Sequence, residues 1–113
     1  MKNKNFLPED EPLYIISVAS RLAGVHPQTL RLYERLGIIK PHRSQGNVRL
    51  YSQRDIWLTR EARRVIKQYG VNLSGVKFIL ELEQEVEELR KRVAELEEQI
   101  NALRSQTSPP EDK

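Results

Sequence analysis

The stretch "SVASRLAGVHPQTLRLYERLG", residues 17–37, decides the fold. Ser17 makes a good N-cap, because its hydroxyl can accept from an orphan N–H of the first helical turn. Val18, Ala19, Leu22 and Ala23 follow at helical spacing and form a stripe to bury. Gly24 ends that helix, since glycine enters the left-handed region without a Cβ clash. After the short connection "GVH", Pro27 takes the first position of a second helix, where its missing N–H costs nothing. Gly37 closes it. Two short helices joined by a tight glycine-containing turn match the helix-turn-helix, whose second helix lies in a major groove.

Gln28, Arg31 and Arg35 fall along one side of that second helix, and Leu30, Tyr33 and Leu36 on the other, with Glu34 at the border. Arginine pairs two ways with guanine O6 and N7, and glutamine two ways with adenine N6 and N7. Gln28 and Arg31 lie one turn apart near the N-terminal end, the part of a recognition helix that goes deepest, and are expected at base edges. Thr29 is a further candidate, although it faces nearer the apolar side. Arg35 is expected at a phosphate. His26, just ahead of the helix, either bonds a phosphate or caps the helix. Tyr33 either offers its hydroxyl to a phosphate while its ring packs inward or is a plain core aromatic. Ser17 is counted with the DNA-facing set.

Residues 38–52, "IIKPHRSQGNVRLYS", read as a small hairpin, or wing. "SQGN" is turn chemistry. Val48 and Leu50 alternate with Arg49 and Tyr51 at a period of two, and Pro41 confines the first arm to an edge. The polar set of the wing is Lys40, His42, Arg43, Asn47 and Arg49. Arg43, Asn47 and Arg49 are expected to reach the backbone or the minor groove, contacts that fix position more than sequence choice. A third helix starts at Ser52, with Asp55 completing a variant capping box. Leu58, Ala62, Val65, Ile66 and Tyr69 form its apolar stripe, and Gly70 ends it. Asn72 is expected to cap a fourth helix running to about Arg104.

The fourth helix has the clearest period in the chain. Ile79, Val86, Val93 and Ile100 are seven apart, and Leu82, Leu89, Leu96 and Leu103 follow each by three. β-Branched residues at a and leucine at d favour a two-stranded coiled coil. At ~1.5 Å per residue the seam is roughly 40 Å long and needs a partner helix. A homodimer is therefore expected. Charges at Glu85, Arg92, Arg90 and Glu97 lean towards parallel strands, although an antiparallel register can also match Glu against Arg.

Charge divides the chain. Residues 17–71 hold eleven Lys/Arg against three Asp/Glu, whereas residues 72–113 hold six against ten. A basic block followed by an acidic one points to a polyanion partner for the first block alone. The absence of cysteine excludes disulfides and thiolate metal sites and fits a reducing, cytoplasmic setting. No apolar run approaches the roughly 18 residues of a membrane span, so no membrane partner is expected. His26 and His42 are the only histidines, neither at metal-ligand or triad spacing, and no glycine-rich phosphate loop is present. An enzyme is not expected, nor is a cofactor.

"YIISVASRLAGVHPQTLRLYERLGIIKP", "GNVRLYSQRDI" and "GVNLSGVKFIL" together resemble the MerR-family transcription regulators, over residues 14 to about 104. "LRLYERLGII" matches the family's Leu-Arg-Tyr-Tyr-Glu stretch, with Leu32 in place of the first tyrosine. "HPQTLR" and "GVNLSGV" are similar to the heat-shock repressor branch, the HspR-like proteins. The resemblance implies DNA-contact roles for Arg31, Tyr33, Arg49 and the Gly46–Asn47 turn. It also implies an inverted-repeat operator, repression of chaperone genes with the chaperone DnaK as co-repressor, and an antiparallel coiled coil. On the last point the resemblance is preferred over the e/g charges, which are worth only tenths of a kcal/mol per pair.

The expected fold is mainly α: a flexible arm over residues 1–13, a winged helix-turn-helix over 14–75, a dimerising coiled-coil helix over 76–104 and a disordered tail over 105–113. Trp57, off the third helix's stripe, is expected on the partner's coiled coil or under its own wing. The rival functions are a ligand-responsive activator, which the lack of an expected effector domain disfavours, and a coiled-coil adaptor without specific DNA binding. RNA binding is disfavoured because no aromatic stacking platform is visible.

Overall fold

The computed structural model describes residues 8–107. Four helices and one small antiparallel sheet follow in the order α1 (Ile16–Ala23), α2 (Pro27–Arg35), β1 (His42–Arg43), β2 (Arg49–Leu50), α3 (Gln53–Tyr69) and α4 (Val76–Thr107). Short 3-10 turns at Pro8–Asp10 and Leu73–Gly75 precede α1 and α4. Contacts divide the chain into one unit up to Leu80 and a second from Glu81 onward.

The first unit is built on the helix-turn-helix. Gly24 ends α1 at φ 73°, a left-handed value that a Cβ would make costly. Ser17 does not cap α1: the N-cap is Ile15, with no side-chain cap bond, and Ser17 sits in the first turn, its carbonyl accepting from the Ser20 hydroxyl at 3.2 Å. That bond lets Ser20 be buried, so the inward stripe is Ala19, Ser20 and Ala23, and Leu22 is exposed instead. The core joins these to Leu30 and Tyr33 of α2, Ile38, Ile39, Tyr51, to Ile56, Ala62 and Val65 of α3, and to Val76.

The third helix begins as its sequence demands. The Ser52 hydroxyl accepts from the Asp55 N–H and the Asp55 carboxylate accepts from the Ser52 N–H, both at 3.0 Å. Gly70 ends it in the left-handed conformation. The buried face, however, is Ile56, Thr59, Ala62 and Val65; Leu58 and Ile66 are half-buried and Tyr69 is exposed. Thr59 fits because its hydroxyl donates to the Asp55 carbonyl at 2.8 Å. Trp57 is also exposed, at 51%. Asn72 caps the 3-10 turn ahead of α4, accepting from the Gly75 N–H.

Two boundaries move. Within the segment expected as an arm, Pro8–Asp10 form a turn against α3 and the Leu13 N–H donates to the Tyr51 carbonyl at 3.0 Å, beside the Tyr14 N–H at 2.9 Å. The segment thus extends the wing by main-chain pairing that apolar patterning does not announce. At the other end the helix continues to Thr107, whose hydroxyl donates to the Leu103 carbonyl. Residues 1–7 and 108–113 of the expected arm and tail lie outside the described residues.

The second unit is helical over the described residues. Leu82, Val86, Leu89, Val93, Leu96, Ile100 and Leu103 are all exposed, from 39% to 59%. Ile79, the first expected seam residue, instead packs part-buried against the core of the first unit.

Candidate nucleic-acid interface

The geometry of α2 starts with its cap. The His26 Nδ1 accepts from the Gln28 N–H at 3.0 Å, which satisfies an orphan donor of the first turn. The cap assigned to His26 as one alternative is thus present, and it leaves Nε2 as the ring's other polar atom. Beyond the cap the two faces separate as the spacing requires. Leu30 and Tyr33 are buried, Gln28 and Arg35 are exposed, and Thr29 and Arg31 are half-buried. The row Gln28, Arg31, Arg35 therefore lies on the accessible side.

Tyr33 is 4% exposed and lines a cleft with Arg60, Arg63, Arg64 and Lys67 of α3. Burial pushes its phenol up, and the Arg63 charge opposes this. Arg60 and Arg63 themselves reach the C-terminal end of α1, donating to the carbonyls of Leu22 (2.5 Å) and Gly24 (2.9 Å). Part of the basic surplus read from the sequence thus complements a helix end. Nothing at the level of charge counting distinguishes these arginines from those of the wing.

The wing is a two-rung ladder, His42 opposite Leu50 and Arg43 opposite Arg49. Its turn closes with the Asn47 N–H donating to the Ser44 carbonyl at 2.9 Å and the Ser44 N–H to the Val48 carbonyl at 2.8 Å. The left-handed residue is Asn47, at φ 64°, and not Gly46. Asparagine tolerates this conformation better than other side-chain residues. Arg43 donates to the Asn47 carbonyl and side-chain oxygens, at 3.4 Å each. Arg43, Asn47 and Lys40 are exposed.

Two carboxylates tie the wing to the helices. Asp55, 5% exposed, accepts not only from Ser52 but also from the Lys40 N–H at 3.3 Å, which fixes the root of β1 against α3. Glu34 accepts from the Arg49 Nε at 2.7 Å, which joins α2 to β2. Glu34 read as a border acid, and Arg49 as a DNA contact; their pairing across fifteen residues is invisible to local pattern. The Tyr51 hydroxyl is buried without a hydrogen-bond partner among the described residues. Burial raises its pKa most, Glu34 adds to the rise, and Arg49 and Arg31 oppose it.

This arrangement can present an amide, a guanidinium and a wing of cations to one polyanion. Residues 16–51, which hold all of it except the Asp55 anchor, match the sequence pattern of the MerR family regulatory proteins. They form a MerR-family domain. Over 93 residues the chain is 52% identical to a Streptomyces coelicolor protein named "Putative heat shock protein HspR", covering 82% of this chain and 62% of that one. Over 72 residues it is 40% identical to the HTH-type transcriptional regulator MlrA of Escherichia coli, covering 63% of this chain and 29% of that one. The chain thus spans about three fifths or less of these relatives' lengths. Among solved structures, the transcription regulator PbrR691 of Ralstonia metallidurans, in complex with lead(II), superposes with a TM-score of 0.56 at 25% identity. The match covers 82% of this chain and 79% of that one. The MerR-type winged helix-turn-helix and the long C-terminal helix are thus shared with known regulators. No helix among the described residues is long and apolar enough to cross a membrane.

Proposed function

We propose that this chain is a dimeric, sequence-specific DNA-binding transcription regulator that represses heat-shock and chaperone genes from an inverted-repeat operator. The observation that carries the DNA-binding reading is the accessible row Gln28, Arg31, Arg35 on a capped helix to which the wing is tied by Glu34–Arg49. Gln28 and Arg31 read base edges, with Thr29 beside them. Arg35, His26 through Nε2, Lys40, Arg43 and Asn47 meet phosphates, and Arg49, held by Glu34 through its Nε, meets one at the matching site through its terminal nitrogens. Ser17 reaches the backbone from the first turn of α1. Tyr33 is so deeply buried that its part is to brace α2 from behind, more than to touch DNA.

The exposed seam of α4 supports a homodimer, because a stripe of seven large apolar residues is stable in water only against a partner. Two-fold symmetry then gives a palindromic site. An antiparallel pair, and DnaK as co-repressor, follow from the family resemblance; repression of stress genes follows from it and from the likeness to the HspR relative. The test is a titration against a random duplex pool, with sequencing of the retained fraction. A recovered inverted repeat supports the reading. Retention with no enriched sequence refutes it and favours an adaptor. A reporter driven through the recovered site, with and without the chain, separates repression from activation.

A further inference from the structure

Between residues 12 and 54 the chain has one acidic residue, Glu34, among seven arginines and lysines. An acid beside a row of cations that is proposed to meet a polyanion weakens attraction, so its presence needs a reason. Stability is a poor one. Both partners of the Glu34–Arg49 pair are about a third exposed, at 27% and 32%, and pairs so placed contribute little. The wing has other anchors: the β1–β2 ladder, the Tyr14–Tyr51 main-chain bonds and the Asp55–Lys40 bond. What the pair does accomplish is to occupy Arg49, the cation that bridges recognition helix and wing, at 2.7 Å.

We infer that Glu34 is a specificity-determining residue: it holds Arg49 back from the phosphates of arbitrary duplexes and fixes the wing relative to α2. The inference rests on the DNA-binding reading. Binding to unrelated sequence depends on charge alone, so each cation withheld lowers it. Binding to the matching site is positioned by α2, and there a wing held in register serves the base contacts. Removing the carboxylate strengthens the first mode and loosens the second, so both effects lower discrimination.

The test is an anisotropy titration of the full chain over a salt series. One duplex is the one retained from the random pool, and the other is a scrambled duplex of equal composition. For Glu34→Gln, which keeps the side-chain shape, the scrambled duplex should bind up to roughly fivefold tighter, the equivalent of one exposed charge pair. Its log–log salt slope should steepen by about one contact, and the ratio of the two affinities should fall. Adding Arg49→Gln should return the slope to the wild-type value or below. An unchanged slope in Glu34→Gln, or equal gains on both duplexes, overturns the inference while leaving DNA binding intact. A wild-type chain with no preference between the duplexes overturns the DNA-binding reading and this inference with it.

Discussion

Replacing Leu89 by aspartate should break the proposed dimer, and the size of the effect can be worked from exposure. Leu89 is 57% exposed in the single chain, in the middle of a stripe whose other members range from 39% to 59%. Full burial of such a side chain is worth ~1.5–3 kcal/mol, so burying the exposed half yields roughly 1 kcal/mol each. Seven residues on each of two chains then supply on the order of 14 kcal/mol, of which association and side-chain ordering consume a large part. Leu89→Asp removes the apolar gain twice and places two charges in the seam. A loss of roughly 4 kcal/mol or more, about a thousandfold in dimer Kd, is expected. Sedimentation equilibrium across a dilution series measures it directly. The variant should be monomeric at concentrations where the wild type is dimeric, with an unchanged helix-turn-helix by circular dichroism. A variant that dimerises at the wild-type concentration would show that the stripe is not the interface.

Asp55→Ala removes the acceptor for both the Ser52 and the Lys40 N–H groups, so unfolding in urea should show a loss of roughly 2–4 kcal/mol, with Asp55→Asn less affected. An Asp55→Ala variant as stable as wild type would mean that the anchor is dispensable. Tyr51→Phe deletes a buried hydroxyl that bonds no described residue and should leave stability unchanged or raise it by up to about 1 kcal/mol. The phenols of Tyr33 and Tyr51 are both raised in the fold, so above the ordinary tyrosine value of 10.0 the unfolded chain releases its protons first. Their contribution is complete below that pH and is lost as pH climbs through the folded values. Thermal unfolding from pH 8 to 11 should show this decline, and Tyr51→Phe should reduce it.

Local chemistry made most of the fold legible. Gly24 and Gly70 stop their helices because left-handed φ favours glycine, Pro27 starts one because it lacks an N–H, and Ser52 with Asp55 starts another. The heptad likewise shows where α4 keeps an apolar stripe. Patterning failed where a polar group could be buried by a nearby bond: Ser20 and Thr59 point inward because Ser17 and Asp55 carbonyls accept from them. It failed again at Ile79, since the same residue type suits a seam and a domain core. In the candidate interface the exposed row of α2 follows from helical spacing alone. The long-range ties from Glu34 to Arg49 and from Asp55 to Lys40 join residues fifteen apart, and only the folded chain brings them together.

The central claim is that α2 reads bases through Gln28 and Arg31. The most direct measurement repeats the duplex-pool selection with Arg31→Ala beside the wild type. The expected result is one inverted repeat in both pools, with preference relaxed at one base pair of each half-site and a loss of ~1–3 kcal/mol on the original sequence. Identical base preferences in the two pools would contradict the claim and move sequence reading away from α2.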